Sequence, residues 1–287
     1  MKPRSVILAL AASAALLAQP KIIDSHVHHN GETAFLDKLI ARLEALDGMA
    51  CLLTAPKDLE QVKGYMKRYP NRLVGYGEIS LDDPQALALV DRFHAAGFRG
   101  LGELLRPLKR YDDRSYWPIY ERAEKLGLIL LFHTGIVARI DVNKPEDVSF
   151  DRMRASTLDG VARRFPKVTI QGAHLGNPEY DVAAEVARWN PNLHFDLSGS
   201  TLIKKSGDYT FFKSIFWWSS VVSPHTPKSD THAFETVVFG SDVFRGELEE
   251  LDRSIERYTK LMEACGVPEP ARRNIMSGTM WKMLNRK

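Results

Sequence analysis

Eight short apolar runs, each followed by a longer helix-patterned stretch, constrain this chain more than any other feature. The runs are Ile22–Val27, Ala50–Thr54, Leu73–Ile79, Phe98–Leu104, Ile129–His133, Thr169–His174, His194–Leu197 and Val237–Ser241. Helical periodicity fills most of the intervals, at Ala34–Leu46, Leu59–Tyr69, Pro84–Ala96, Trp117–Lys125, Met153–Phe165 and Tyr180–Trp189. It resumes at Leu248–Cys265. Strands this uniformly apolar are buried on both faces, as in a parallel sheet covered by helices. Eight strand-then-helix units predict an α/β fold, a single (β/α)8 TIM barrel. A doubly wound open sheet is the alternative. It calls for a glycine-rich phosphate turn after the first strand, where this chain has histidines. Gly97, Gly127 and Phe165-Pro166 punctuate the units as helix stops. One interval is irregular. Between Ser198 and Glu235 there is no clear helix start, and the segment carries Phe211, Phe212, Phe216, Trp217 and Trp218.

At 287 residues, the length suits one barrel domain. The 39 basic and 36 acidic residues are spread along the chain, with no Lys/Arg run interleaved with aromatics, so no nucleic-acid partner is expected. The first 18 residues differ. Lys2 and Arg4 precede the uncharged stretch Val6–Ala18, which ends in small residues, the layout of a secretory signal peptide. The expected organisation is a signal peptide at 1–18, cleaved after Ala18, and the barrel at 19–287. The mature protein would be periplasmic or extracellular, without stable membrane insertion. A homo-oligomer is compatible with it. Cys51 and Cys265 lack metal-site spacing and are expected to be buried, unpaired thiols.

In a barrel, all strand C-termini face one mouth. The first strand ends in Asp24-Ser25-His26-Val27-His28, whose two histidines share a face because strand residues i and i+2 point the same way. The fifth ends in His133, the sixth in His174 and the eighth in Gly240-Ser241-Asp242. Each polar residue closes an apolar run, where packing gives it no reason to be. One such histidine would be unremarkable; four histidines and a carboxylate on one rim predict a metal site. Imidazole and carboxylate suit zinc, with manganese or iron as alternatives.

These motifs resemble the amidohydrolase superfamily of metal-dependent barrels. Asn274–Leu284 is similar to the closing helix of the amidohydrolase family 2 branch, although Gly278-Thr279 stands where an Asn-Ala pair is usual. The fourth strand carries Gly102-Glu103-Leu104 and lacks the lysine that bridges two metals in many members. The resemblance implies two arrangements. In one, His26, His28, His133 and Asp242 hold one ion while His174 polarises the substrate. In the other, His133 and His174 hold a second ion and Glu103 bridges. Either would lower the pKa of a bound water from about 15.7 towards about 7, with Asp242 as general base. Arg106 and Arg139 are candidate anchors for a substrate carboxylate, and Trp217 is a candidate pocket wall.

The expected activity is hydrolysis of an ester, lactone or amide bond in a small organic molecule. Non-oxidative decarboxylation of an aromatic or enol-type acid is the alternative on the same site. A metal-dependent binding protein without turnover is the alternative of another class.

Overall fold

The computed structural model describes residues 19–137, 149–216 and 233–286. Residues 1–18, read above as a signal peptide, and Arg139, Trp217 and Trp218 lie outside the described residues.

Eight strands form one parallel sheet in sequence order: β1 (Ile22–His28), β2 (Gly48–Thr54), β3 (Leu73–Gly77), β4 (Gly100–Leu104), β5 (Ile129–Phe132), β6 (Thr169–Gly172), β7 (Leu193–Asp196) and β8 (Val237–Val238). β8 ladders with β7. The chain just beyond it closes the barrel against β1, with Ser25 N–H donating to Phe239 O at 3.0 Å and Asp242 N–H to His26 O at 2.9 Å.

Helices α1 (Thr33–Leu46), α2 (Leu59–Arg68), α3 (Ala86–Ala95), α4 (Trp117–Leu126), α5 (Ala155–Arg164) and α6 (Tyr180–Trp189) alternate with the strands. α4 shows the local logic. Pro118 opens it in the first turn, where a missing N–H costs nothing, and Gly127 closes it in a left-handed conformation at φ 65°. The interval without a clear helix start holds two short helices, α7 (Ser200–Lys204) and α8 (Tyr209–Phe216). α7 spans little more than one turn, too short to leave a periodic signal. α9 (Glu249–Ala264) begins with Glu249, Glu250 and Asp252, favourable at the positive end of the helix dipole. After α10 (Glu269–Arg273), a π-turn at Asn274–Gly278 leads into α11 (Thr279–Leu284).

Two apolar layers result. Val27, Leu52, Leu101, Phe132, Ile170 and Phe195 face the helices in the larger core. Ile23, Cys51, Tyr76, Leu131 and Val238 fill the lumen, plugged from below by Met280, Met283 and Leu284 of α11. Cys51 and Cys265 are both buried and form no disulfide, as expected.

Two breaks in register shape the mouth. β1 slips against β2 between Asp24 and Val27, and β4 slips against β5 between Leu101 and Leu104. In each, three steps on one strand oppose two on the other, a bulge. The first changes phase, so that Ile23 faces the lumen but Val27 faces the helices, leaving His26 and His28 on the inner side. The second leaves Leu101 and Leu104 both in the outer core and turns Glu103 inward.

Candidate metal centre

The strand ends bring His26, His28, Glu103, His133, His174 and Asp242 together in two groups. His26, His28 and Asp242 form one; Glu103, His133 and His174 form the other, with candidate ligand atoms in each group within 4.8 Å of one another. In the first, His26 Nε2 is 3.2 Å from His28 Nε2, and Asp242 Oδ1 is 3.6 Å and 3.4 Å from them. Ligands about 2.0–2.1 Å from a zinc ion at tetrahedral angles stand about 3.3–3.4 Å apart. The three spacings fit that set. In the second, Glu103 Oε1 is 2.7 Å from His133 Nδ1 and 3.5 Å from His174 Nε2. Its other oxygen, Oε2, is 3.8 Å from His28 Nε2 and 4.0 Å from His26 Nε2. One carboxylate therefore addresses both groups, one oxygen to each.

Outer partners fix the imidazoles. His26 Nδ1 lies 3.1 Å from Asp196 Oδ2, leaving Nε2 turned towards its group. His174 Nδ1 lies 2.9 Å from Ser198 Oγ, and its backbone N–H donates to Asp196 Oδ1 at 3.0 Å. His28 Nδ1 faces Glu78 at 3.7 Å. A histidine with one nitrogen turned to a carboxylate or hydroxyl and the other towards a cluster is the usual pattern of a metal ligand. His133 is positioned through its backbone: Tyr111 donates its hydroxyl to both Leu104 O and His133 O, at 2.7 and 2.9 Å, joining the ends of β4 and β5. The buried His133 Nε2 has no hydrogen-bond partner among the described residues.

Asp24 ties β1 to the chain after β8. Its Oδ1 accepts from the backbone N–H of His26 and Ser241, and its Oδ2 accepts from Ser241 Oγ at 2.5 Å. Burial pushes its pKa up to about 6. His174 itself sits in a left-handed turn at φ 64°. Gly199 is required beside it: a Cβ there would lie 2.7 Å from His174 Nδ1, and its own φ is +93°.

The field of the site is strongly anionic. Burial alone would lower His28, but hydrogen bonds to Asp242 and Glu78 raise its pKa to about 10. Burial likewise opposes the rise of His174, which its hydrogen bond to Glu103 and the charge of Asp242 bring to about 9. Glu103 stays well below the ordinary carboxylate range despite burial, through the charge and hydrogen bond of His133. Asp196 is held low in the same way, mainly by His26. Glu103 and Asp196 are buried and Asp242 is half-buried among four imidazoles, and a divalent cation supplies the positive charge that otherwise falls to protonated histidines. The residues present thus fit a divalent metal.

Arg106 follows β4 on the rim, half-buried, with a left-handed backbone at φ 54°. Arg139 and Trp217 fall outside the described residues. Sequence reasoning missed Asp196, Ser198, Gln171 and Glu78. Gln171 Nε2 donates to Ser25 Oγ at 2.8 Å and to Asp196 Oδ2 at 3.1 Å. Asp196 ends β7 in the structure but lies one residue inside the run His194–Leu197 read from the sequence, so it carried a weaker signal than the residues that were found.

The amidohydrolase family 2 model, described as Amidohydrolase, matches residues 57–285. The chain belongs to the amidohydrolase family. The match begins after the first strand, so membership does not rest on His26 and His28. No curated protein matches the chain. Solved structures share the barrel. An uncharacterised TIM-barrel protein from Bordetella bronchiseptica is 16% identical with a TM-score of 0.65, covering 92% of this chain and 98% of its own. A probable 2-pyrone-4,6-dicarboxylic acid hydrolase from Acinetobacter baumannii is 14% identical with a TM-score of 0.59, covering 92% and 99%. A 5-carboxyvanillate decarboxylase from Sphingomonas paucimobilis is 13% identical with a TM-score of 0.57, covering 92% and 98%. This amidohydrolase therefore shares a fold with hydrolases and decarboxylases alike.

Proposed function

We propose that this amidohydrolase is a metal-dependent hydrolase that opens an ester, lactone or amide bond in a small organic molecule. The observation that carries the reading is Glu103, with one oxygen towards His26 and His28 and the other towards His133 and His174. His26, His28 and Asp242 would hold one divalent ion and His133 and His174 a second, with Glu103 bridging. Zinc suits this nitrogen and oxygen set, and manganese or iron are the alternatives. When bound, the metal centre lowers the pKa of water and polarises an acyl oxygen.

The chain's own residues do the rest. Asp242 closes the ladder to His26 O, and its side chain is 27% exposed, so it meets both the ligand nitrogens and the mouth. It takes one proton from the attacking water and returns it to the leaving oxygen or nitrogen as the acyl bond breaks. In a one-ion arrangement His174 would instead face the substrate carbonyl. Apolar side chains stand on the rim beside Arg106: Leu105, Ile136 and Phe244 are 36%, 58% and 53% exposed beyond β4, β5 and β8. Phe244 meets the His28 ring edge-on at 5.4 Å. Such a rim suits the body of a small organic acid, whose carboxylate Arg106 would anchor, with Arg139 as the second candidate.

Decarboxylation is the second reading, because Asp242 could equally protonate carbon after loss of CO2, and structures of decarboxylases share the fold. Incubating metal-loaded protein with lactone and hydroxybenzoate panels separates the two. Ring-opened acid is expected; CO2 release without hydrolysis would overturn the first reading. We also read residues 1–18 as an export signal, which favours hydrolysis of exogenous compounds. N-terminal sequencing of the exported protein checks it, with a start at or near Gln19 expected.

A further inference from the structure

We propose that the N-terminal face of the barrel, opposite the metal centre, carries a binding site for a small polyanion, phosphorylated or multiply carboxylated, held by His194, Lys282 and Arg286. A cavity of about 500 Å³ lies there, between the barrel floor and α11, within the size range of metabolite sites. His194 enters it from the start of β7, two residues before Asp196, so one strand face carries a floor residue and a mouth residue. His194 Nδ1 is buried without a hydrogen-bond partner among the described residues. Native proteins seldom leave such an atom unpaired, and a missing ligand is one of the few reasons.

The rest of the lining supplies what an anion needs. Lys282 and Arg286 contribute full charges from α11 and the residues after it, and Thr169 and Thr279 contribute hydroxyls. Arg188 also borders the cavity and is paired with Glu185 at 3.1 Å. Arg286 is shared with an adjoining depression of about 860 Å³ that adds Arg99, Lys125 and Lys167. Against these six basic side chains the two linings hold two carboxylates, Glu235 and Glu124. The whole chain carries only +3, so the fold gathers on this face cations that lie far apart in sequence. A concave surface of one sign concentrates the field and raises the local concentration of counter-ions. An anion here would face Lys282 and Arg286 with the His194 ring at its side, and the buried Nδ1 would donate to it only after the ring turns towards the cavity.

Isothermal titration of the metal-loaded full chain tests the site. Inorganic phosphate and tricarballylate serve as separate probes, at constant ionic strength set with chloride. One saturable site is expected for at least one probe. Phosphate alone would identify a phosphorylated ligand, and tricarballylate alone a carboxylated one. The double variant Lys282→Ala/Arg286→Ala should bind at least tenfold more weakly, and His194→Gln several-fold more weakly. Metal content and basal turnover should stay at wild-type values in the double variant, which shows that it is folded. Absence of saturable binding of either probe would overturn the proposal. So would undiminished affinity in the double variant, because the anion would then be sitting at the metal centre.

Discussion

Asp196 Oδ2 lies 3.1 Å from His26 Nδ1, and both residues are fully buried. This contact turns the opposite nitrogen of His26 towards His28 and Asp242, the candidate metal ligands. The other oxygen of Asp196 accepts from the backbone N–H of His174 and from Ser198 Oγ, which in turn faces His174 Nδ1. One carboxylate on β7 thus orients a histidine in each half of the site.

Replacing Asp196 with Asn keeps the shape but removes the charge that selects the tautomer of His26. Outer carboxylates of this kind are worth about 10–100-fold in metal affinity. Asp196→Asn should weaken metal binding by that factor in competition with a chromophoric chelator. Affinity equal to wild type would mean that Asp196 serves packing alone.

Asp242 separates catalysis from binding. Asp242→Asn keeps an oxygen near His26 and His28 but removes the proton acceptor. General-base catalysis is worth about 10²–10⁴-fold, so turnover should fall by at least that much while most of the metal remains. Metal analysis and a rate assay on the same sample check it. An unchanged rate would contradict Asp242 as the base, and no turnover in wild type with full metal would favour a binding protein.

His194 makes a stability prediction with a definite sign. Burial, and secondarily Arg286, hold its folded pKa at about 4, below the ordinary 6.5. The folded state therefore binds fewer protons than the unfolded state between these values. Its contribution is complete above about pH 6.5 and is lost as pH falls towards 4. The ceiling is about 3 kcal/mol for a shift of this size, and the partial exposure of the ring reduces it. His194→Gln should lose less stability than wild type between pH 6.5 and 4 in chemical denaturation. Parallel losses would show that His194 is not a source of the acid sensitivity.

The order of eight strands was legible because each is a separate apolar run, and so was the convergence of His26, His28, His133, His174 and Asp242, because strand ends in a barrel share a mouth. The phase of β1 and β4 was not. A slip between Asp24 and Val27 leaves no compositional trace, and Gly102 marks the one between Leu101 and Leu104 only as a position where a bulge is allowed, yet these two slips decide which side chains face inward. Asp196 was missed for a different reason. β7 is read from only four residues, with His194 at its start, and Asp196 shows its role only through contacts with β1 and β6. The basic floor was invisible because Lys125, Lys167, Lys282 and Arg286 are brought together by tertiary structure.

The central claim is that two groups of side chains form one metal centre joined by Glu103. The most direct test is the metal-to-protein ratio, by plasma mass spectrometry after metal loading and gel filtration, for wild type and Glu103→Gln. The account predicts about two equivalents in wild type and one or fewer in the variant, because Gln offers a single acceptor oxygen and no charge to compensate two ions. One equivalent in both proteins would contradict the bridging role of Glu103, and none in either would contradict the metal centre itself.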